Sequence, residues 1–227
     1  MKLSDLNIIF INLNRNKDRL KHIQNEFEKM NLTNVTRIEA IDGQQLSDDQ
    51  KEFYLNRKNF KTMCSIPERV YGRVGAYLSH LKALDYAIEN KFQNVLIMED
   101  DAIFKIRKDK ELPKFPESSD LLYLGGTFWL QEPEPGRQAT DWINIKRKHL
   151  KLAGCFGLLI PSLTKIRMAR EIFKWVKPSA IDNLYINHIQ SMGNCYLSNN
   201  VIISLSEKFV SNIRYSKKMC KNKFFYE

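Results

Sequence analysis

The sequence predicts an α/β fold in which a single mixed, mainly parallel sheet is flanked by helices. Short apolar runs alternate along the chain with longer segments whose apolar residues recur every three or four positions, as expected of strands and amphipathic helices. The first apolar run, residues 6–13, is nearly continuous, which is typical of a strand buried on both faces. The 227 residues, of which 43% are hydrophobic, suffice for one large domain with its own core.

Two strands and two helices are predicted in the first 56 residues. The strand at residues 6–13 is followed by a helix whose apolar residues repeat at helical spacing. A second strand covers residues 35–41, and the Asp42-Gly43 dipeptide ends it. Ser47 has the side chain of an N-cap for the next helix, and acidic residues follow it near the positive helix end. The apolar face of the first helix consists of Leu20, Ile23, Phe27 and Met30.

The alternation continues through the rest of the chain. Residues 57–72 are basic and irregular in pattern, and we predict a loop there. Residues 131–150 contain two prolines and a glycine, which is typical of a mobile surface loop. Ser179 is the predicted cap of the last helix. The remaining helices are predicted over residues 74–88, 163–176 and 181–189, and the remaining strands over residues 95–98, 121–124, 156–160 and 201–205.

Charge divides the chain into a domain, residues 1–207, and a basic, aromatic C-terminal tail, residues 208–227. The net charge of +10 is compatible with nucleic acid, an anionic membrane or a phosphorylated small molecule as partner. A solvated tail is one interpretation, and peripheral contact with an anionic membrane is the other. Nucleic acid is not a predicted partner, because the sequence contains no recognised nucleic-acid-binding motif.

Cysteine usage and the N-terminus bear on the compartment. The four cysteines are far apart, without metal-finger spacing or a disulfide framework, which favours a reducing environment. The N-terminus reads as a first strand and not as a signal peptide. We therefore expect a cytoplasmic protein, with the membrane surface as an alternative site. The cysteines are Cys64, Cys155, Cys195 and Cys220.

Three acidic residues, Glu99, Asp100 and Asp101, directly follow the strand predicted at residues 95–98. Ligands bind beyond the carboxyl ends of strands in open α/β sheets, and adjacent carboxylates repel one another unless a cation lies among them. Strand alternation predicts Glu99 and Asp101 on one side and Asp100 on the other. Such oxygen ligands suit Mn²⁺ or Mg²⁺, which would stabilise a departing phosphate. A solvated acidic turn is the alternative.

Several motifs in this order resemble glycosyltransferase family 25, which includes lipopolysaccharide and collagen galactosyltransferases. The resemblance implies a GT-A-type fold, a UDP-sugar donor, a divalent cation and inversion at the anomeric carbon. The motifs are Ile11-Asn12-Leu13-Asn14-Arg15, Asp18-Arg19, Ala40-Ile41-Asp42-Gly43, Gly72-Arg73-Val74-Gly75-Ala76-Tyr77-Leu78-Ser79-His80-Leu81, Met98-Glu99-Asp100-Asp101-Ala102, Leu122-Tyr123-Leu124-Gly125, Ala153-Gly154-Cys155-Phe156-Gly157, Ile181-Asp182 and Ser211-Asn212-Ile213.

Given this resemblance, we expect the nucleotide to bind where the first two strands end, and we call this part of the sheet the predicted nucleotide edge. Arg15 is expected to contact the diphosphate, and Asn12 and Asp42 are expected to contact the nucleoside. Arg19 lies one helical turn beyond Arg15 and can face the same side. A turn asparagine, a solvent arginine and a plain Asp-Gly turn are the alternatives. The resemblance also assigns Ser79 to the wall of the site.

The remaining assignments concern the cation, the sugar and the base. Asp101 is the predicted main metal ligand, Glu99 contributes to metal or ribose, and Asp100 belongs to the donor site. His80 is assigned to the site wall, although a packed core histidine is the alternative. Asp182 is the predicted base that takes the acceptor proton, with a helix-capping acid as the alternative.

The sequence therefore predicts a metal-dependent hexosyltransferase. The donor is a UDP-sugar carrying galactose or glucose, and the acceptor is a hydroxyl on a glycan, a lipopolysaccharide or a protein. A metal-dependent nucleotidyltransferase or phosphodiesterase built around the same acids is the alternative enzyme class, and it would release nucleoside monophosphate instead of diphosphate.

Overall fold

A computed structural model of the protein describes residues 1–56, 67–128, 141–145, 152–191 and 193–209. The helices are α1 (Lys17–Lys29), α2 (Asp48–Leu55), α3 (Pro67–Glu89), α4 (Leu163–Trp175) and the short α5 (Ile181–Leu184), which continues as a π-helix (Tyr185–Gln190). The strands are β1 (Ile8–Asn12), β2 (Val35–Glu39), β3 (Val95–Glu99), β4 (Ala102–Phe104), β5 (Leu121–Tyr123), β6 (Thr127–Phe128), β7 (Trp142–Asn144), β8 (Leu152–Ala153), β9 (Gly157–Ile160), β10 (Cys195–Ser198) and β11 (Ile203–Leu205).

A seven-stranded sheet forms the centre of the molecule, in the order β2-β1-β3-β9-β5-β10-β7. β1 pairs in parallel with β2 on one side and β3 on the other, and β5 pairs in parallel with β10. β9 runs antiparallel to both β3 and β5, and β7 runs antiparallel to β10. Five strands therefore share one direction, which confirms the predicted mixed, mainly parallel sheet.

Apolar side chains are buried on both faces of this sheet. In β1, Ile9 packs into the core on the α3 and α4 side, whereas Ile8 and Phe10 pack into a second core with Ile23 and Phe27 of α1. The alternation follows from the two-residue period of a strand. It confirms that the first strand is covered on both faces, and a ligand is therefore expected beyond the carboxyl ends of the strands.

Helix α2 begins as the sequence predicts. The Ser47 hydroxyl accepts a hydrogen bond from the amide of Gln50, and the Gln50 side chain accepts one from the amide of Ser47. This reciprocal capping box satisfies two amides of the first turn.

Three local predictions are wrong. Residues 67–72 are helical and not a loop, because α3 begins at Pro67, a residue suited to the first turn; residues 57–66 lie outside the described residues. Ser179 does not cap α5, whose N-cap is Ala180. The loop predicted at residues 131–150 contains strand β7, and the rest of that segment lies outside the described residues.

Helix α3 packs backbone to backbone against the turn that follows β2. A Cβ atom on Gly43 would lie 1.8 Å from the carbonyl oxygen of Tyr71, and one on Gly75 would lie 2.5 Å from that of Ile41. Ser79 secures the same contact, since its hydroxyl donates to the Gly75 carbonyl and accepts from the Ile41 amide at 2.8 Å. The turn carrying Asp42 is thereby fixed to the helix.

No helix in the described part of the chain combines the length and apolarity needed to cross a membrane. The residues of the C-terminal tail from 210 onward lie outside the described residues, as does the Ser211-Asn212-Ile213 motif.

Candidate active site

The predicted site residues gather where β1 and β3 end. The two strands are parallel neighbours, and Ile11 of β1 is in register with Glu99, the last residue of β3. Asp100 and Asp101 form the turn between β3 and β4. The chain thus places three carboxylates at one edge of the sheet, beside the end of β1.

An arginine lies among the acidic residues of this turn. Nη1 of Arg19 is 2.8 Å from Oδ1 of Asp100 and 3.0 Å from Oδ2 of Asp101, and all three side chains are buried. Asn12 completes what we call the Arg19 cluster by donating from Nδ2 to Oδ2 of Asp100 at 2.7 Å. Burial opposes the charged form of Arg19, but the charges of Asp101 and Asp100 outweigh it and raise the arginine pKa.

The Arg19 cluster corrects two predictions. Asp100 and Asp101 do not lie on opposite sides, since β3 ends at Glu99 and the two residues belong to a turn, where strand alternation no longer applies. Arg19 does not extend beside Arg15 toward the predicted diphosphate, because the buried carboxylates attract its guanidinium.

Asp101 has one oxygen that fits a divalent cation. Its Oδ1 atom is buried and has no hydrogen-bond partner, whereas both oxygens of Asp100 are engaged. Burial raises the pKa of Asp101, although the charge of Arg19 opposes the shift. Within the described residues, no three His, Cys, Asp or Glu side chains are grouped to hold a metal by themselves. One carboxylate oxygen still suits Mg²⁺ or Mn²⁺, which often bind through one or two carboxylates and substrate phosphates.

Arg15 and Asp42 form an ion pair across the ends of β1 and β2. Oδ1 of Asp42 also accepts a hydrogen bond from the Gln44 amide at 3.1 Å. The Arg15 side chain is half exposed, with 50% of its surface accessible. The two residues are thus neighbours at the predicted nucleotide edge, and their contacts with diphosphate and nucleoside stay predictions.

Asn12 and Ser79 are committed to contacts within the protein. Oδ1 of Asn12 accepts from Arg37, and its Nδ2 donates to Asp100 and to the Asn16 carbonyl. Ser79 is fully buried, and its hydroxyl makes the two contacts that hold the turn before Asp42. The geometry favours a positioning role for each residue, in place of the nucleoside contact predicted for Asn12 and the place in the site wall predicted for Ser79.

Asp182 lies in the first turn of α5, where the loop between β8 and β9 contacts it. Its Oδ1 atom accepts hydrogen bonds from the Gly154 amide at 3.2 Å and from the Cys155 thiol at 3.0 Å. We call these two donors the Asp182 cradle. Burial raises the pKa of the Cys155 thiol well above its usual range, and the charge of Asp182 adds to the shift.

His80 faces the same region from α3. It is 2% exposed, and its ring lies edge-on to that of Tyr185 with centroids 5.9 Å apart. Burial lowers the pKa of His80 to about 4, although the charge of Asp182 opposes the shift. Nδ1 of His80 and the hydroxyl of Tyr185 are both buried without a hydrogen-bond partner. His80 is therefore a neutral imidazole at neutral pH.

Glu99 connects the two groups of residues. Burial raises its pKa well above the usual range, and the charges of Asp101, Asp182 and Asp100 raise it further, while Arg19 opposes them. Glu99 is thus close enough to interact electrostatically with both the Arg19 cluster and Asp182. The structure brings the predicted metal ligands and the predicted base to one edge of the sheet.

Comparison with known proteins identifies the family. Residues 5–134, more than half of the chain, match the family described as "Glycosyltransferase family 25 (LPS biosynthesis protein)". The chain belongs to glycosyltransferase family 25. The matched segment of this family 25 chain includes the Arg19 cluster, Asp42 and His80, whereas Asp182 lies beyond it.

Relatives of this family 25 chain come from animals and bacteria. Procollagen galactosyltransferase 2 of Mus musculus is 26% identical over 147 residues, which cover 61% of this chain and 23% of that protein. Its Homo sapiens counterpart is 28% identical over 148 residues, with the same two coverages. A putative glycosyltransferase of Haemophilus influenzae (strain ATCC 51907 / DSM 11121 / KW20 / Rd) is 26% identical over 179 residues, 76% of this chain and 58% of that protein. The chain thus spans only part of each relative.

A solved structure titled "Crystal structure of a glycosyltransferase involved in the glycosylation of the major capsid of PBCV-1" covers 90% of the chain, and 93% of that structure is covered in turn. The TM-score is 0.46 and the sequence identity is 7%.

Proposed function

We propose that the protein transfers a hexose, galactose or glucose, from a UDP-sugar to a hydroxyl on a glycan, a lipopolysaccharide or a protein, with inversion of the anomeric carbon. Family membership supports glycosyl transfer. The observation that carries the proposal is the placement of an unpaired Asp101 oxygen and a separately held Asp182 carboxylate at one edge, with Glu99 coupled electrostatically to both. A metal-dependent inverting transferase needs a cation site for the departing diphosphate and a base for the acceptor proton close together.

Donor binding is proposed at the Asp101 edge. Asp101 would hold Mn²⁺ or Mg²⁺ through Oδ1, with Glu99 as a contributing ligand. A cation bound there supplies charge stabilisation for the departing diphosphate. Arg15, whose side chain is half exposed, reaches the diphosphate, and Asp42 orients the nucleoside.

Asp182 is proposed as the base. The acceptor oxygen forms a bond to the anomeric carbon while the bond from that carbon to the diphosphate oxygen breaks. The acceptor's hydroxyl proton passes to the Asp182 carboxylate, and UDP leaves with the electrons of the broken bond. A carboxylate partnered by neutral donors suits this role better than Asp100, because Arg19 already compensates the charge of Asp100.

The proposal is tested with a panel of UDP- and GDP-sugars in Mn²⁺, each offered with oligosaccharide, lipopolysaccharide and protein acceptors. We expect release of UDP from UDP-galactose or UDP-glucose. Asp101→Asn should remove nearly all release while the circular dichroism spectrum is unchanged, and Asp109→Asn, at an exposed ion pair, is the control. Release of UMP would favour the nucleotidyltransferase or phosphodiesterase alternative. Full activity in Asp101→Asn or in excess EDTA would exclude the proposed metal ligand.

A further inference from the structure

We infer that the Cys155 thiol is a positioning group that, together with the Gly154 amide, orients the carboxylate of Asp182 for proton transfer. The inference rests on the proposed function, in which Asp182 is the base. Within the described residues, the Cys155 side chain contacts neither the predicted nucleotide edge nor the Arg19 cluster. It would act only through Asp182.

Both donors of the Asp182 cradle bind the same oxygen. The Gly154 amide and the Cys155 thiol approach Oδ1 at 3.2 and 3.0 Å, from two successive residues of one loop. Two donors on one oxygen restrict rotation of the carboxylate about its own axis. The other oxygen, Oδ2, is then presented in a fixed direction, which is what a base needs to meet a hydroxyl at hydrogen-bond distance.

The chemistry of the thiol suits this task. Cys155 is 2% exposed, and burial beside Asp182 keeps it as a thiol that can donate its proton in a hydrogen bond. A thiol is a weak, neutral donor. It therefore orients the carboxylate without the strong stabilisation of negative charge that a charged donor gives, as Arg19 does for Asp100.

Local backbone geometry supports the second donor. Gly154 has a φ of 102°, in the region that favours glycine. A Cβ atom at this position would also lie 2.5 Å from a ring carbon of Phe156. A residue with a side chain would be strained in this conformation, so glycine allows the chain to hold the amide of residue 154 toward Asp182.

The test compares variants of the full chain that keep or remove the thiol donor. Cys155→Ser retains a hydroxyl donor, whereas Cys155→Ala and Cys155→Val remove it, and valine still fills the space of the thiol. Cys195→Ala is the matched control, because Cys195 is also a buried cysteine and its sulfur lies 3.6 Å from the Ile189 carbonyl oxygen and not against Asp182. Single-turnover hexose transfer, UDP affinity by calorimetry and thermal unfolding are measured for each variant.

We expect the transfer rate to fall about tenfold to a hundredfold in Cys155→Ala and Cys155→Val, which is the scale of a misplaced catalytic group. UDP affinity should be unchanged in both, Cys155→Ser should recover most of the rate, and Cys195→Ala should transfer at nearly the normal rate. If Cys155→Ala does not fold, the comparison of serine with valine decides the question.

Two results would overturn the inference. One is equal transfer rates in Cys155→Val, Cys155→Ser and wild type while Asp182→Asn is inactive, which would leave the base in place without the thiol's help. The other is a serine variant as slow as the alanine variant, which would show that packing and not donation matters. Full transfer by Asp182→Asn would overturn the base assignment itself, and absence of UDP release by the wild type would separately overturn the proposed function.

Discussion

Single residues at the end of β3 determine the electrostatics of the site. Arg19 is the cation that the adjacent acids require, and it is shared by Asp100 and Asp101 in a region from which water is largely excluded. A buried ion pair contributes little net stability, but removal of one partner leaves an uncompensated buried charge. The arginine therefore matters for the fold and for the state of the proposed metal ligand.

Replacement of Arg19 should destabilise the protein. Arg19→Met keeps the apolar stem but leaves two buried carboxylates without their partner, and we expect the free energy of unfolding to fall by about 3–5 kcal/mol. Urea denaturation followed by circular dichroism measures it. Arg107→Met is the control, because the ion pair of Arg107 with Asp109 is exposed, and its loss should leave stability unchanged. Similar midpoints for the two variants would contradict a buried Arg19 cluster.

His80 gives the stability of the protein an acid dependence. Its pKa is about 4 in the folded protein and 6.5 without burial, so between these values the unfolded state binds a proton that the folded state does not. Stability from this residue is complete above pH 6.5, falls as the pH is lowered, and levels off below about pH 4. The total loss is about 3 kcal/mol.

A non-titrating side chain at this position should flatten that dependence. We expect His80→Gln to lose less stability than wild type between pH 6.5 and 4, by an amount close to the histidine contribution. Urea denaturation at half-unit pH intervals measures the difference. Parallel stability curves for variant and wild type across this window would show that His80 does not titrate as a buried neutral residue.

Among the elements, the contact of α3 with the turn after β2 fixes the position of Asp42 in the candidate site. Gly75→Ala would place a Cβ atom 2.5 Å from the Ile41 carbonyl oxygen, so the turn that carries Asp42 must shift. We expect lower thermal stability and weaker UDP binding, measured by differential scanning calorimetry and titration calorimetry. Gly72→Ala in the same helix is the control and should be neutral or slightly stabilising, because alanine favours helix. Unchanged UDP affinity in Gly75→Ala would separate the turn from the nucleotide site.

Local pattern predicted some elements and not others. The continuous apolar run of β1 and the helical spacing in α1 are properties of the sequence itself, and both are confirmed. β10 was not predicted, because its four residues pair with β5 and β7, which are distant in the sequence. The start of α3 at Pro67 was missed because a basic, weakly periodic segment resembles a loop until its packing partners are known.

On the scale of the whole molecule, the topology brings residues that are far apart in the sequence to one edge of the sheet. The sequence predicted that these residues lie together, since Asp42 follows β2, Glu99 ends β3 and Asp182 lies in the first turn of α5. It could not predict which charged side chains pair. Whether the Arg19 side chain extends toward the predicted nucleotide site or toward Asp100 and Asp101 depends on how α1 packs against the sheet. The cradle formed by Cys155 was missed for the same reason, since its partner is 27 residues away.

The most direct test of the account is the effect of Asp182→Asn on two quantities measured together. Hexose transfer from the donor that the panel identifies should fall by at least about a hundredfold, the lower end of general-base effects. UDP affinity, measured by calorimetry in the same preparation, should be unchanged, because the proposed nucleotide contacts are with Arg15 and Asp42 and not with α5. Transfer at a near-normal rate by this variant would contradict the account and leave Asp182 as an acid that only begins a helix.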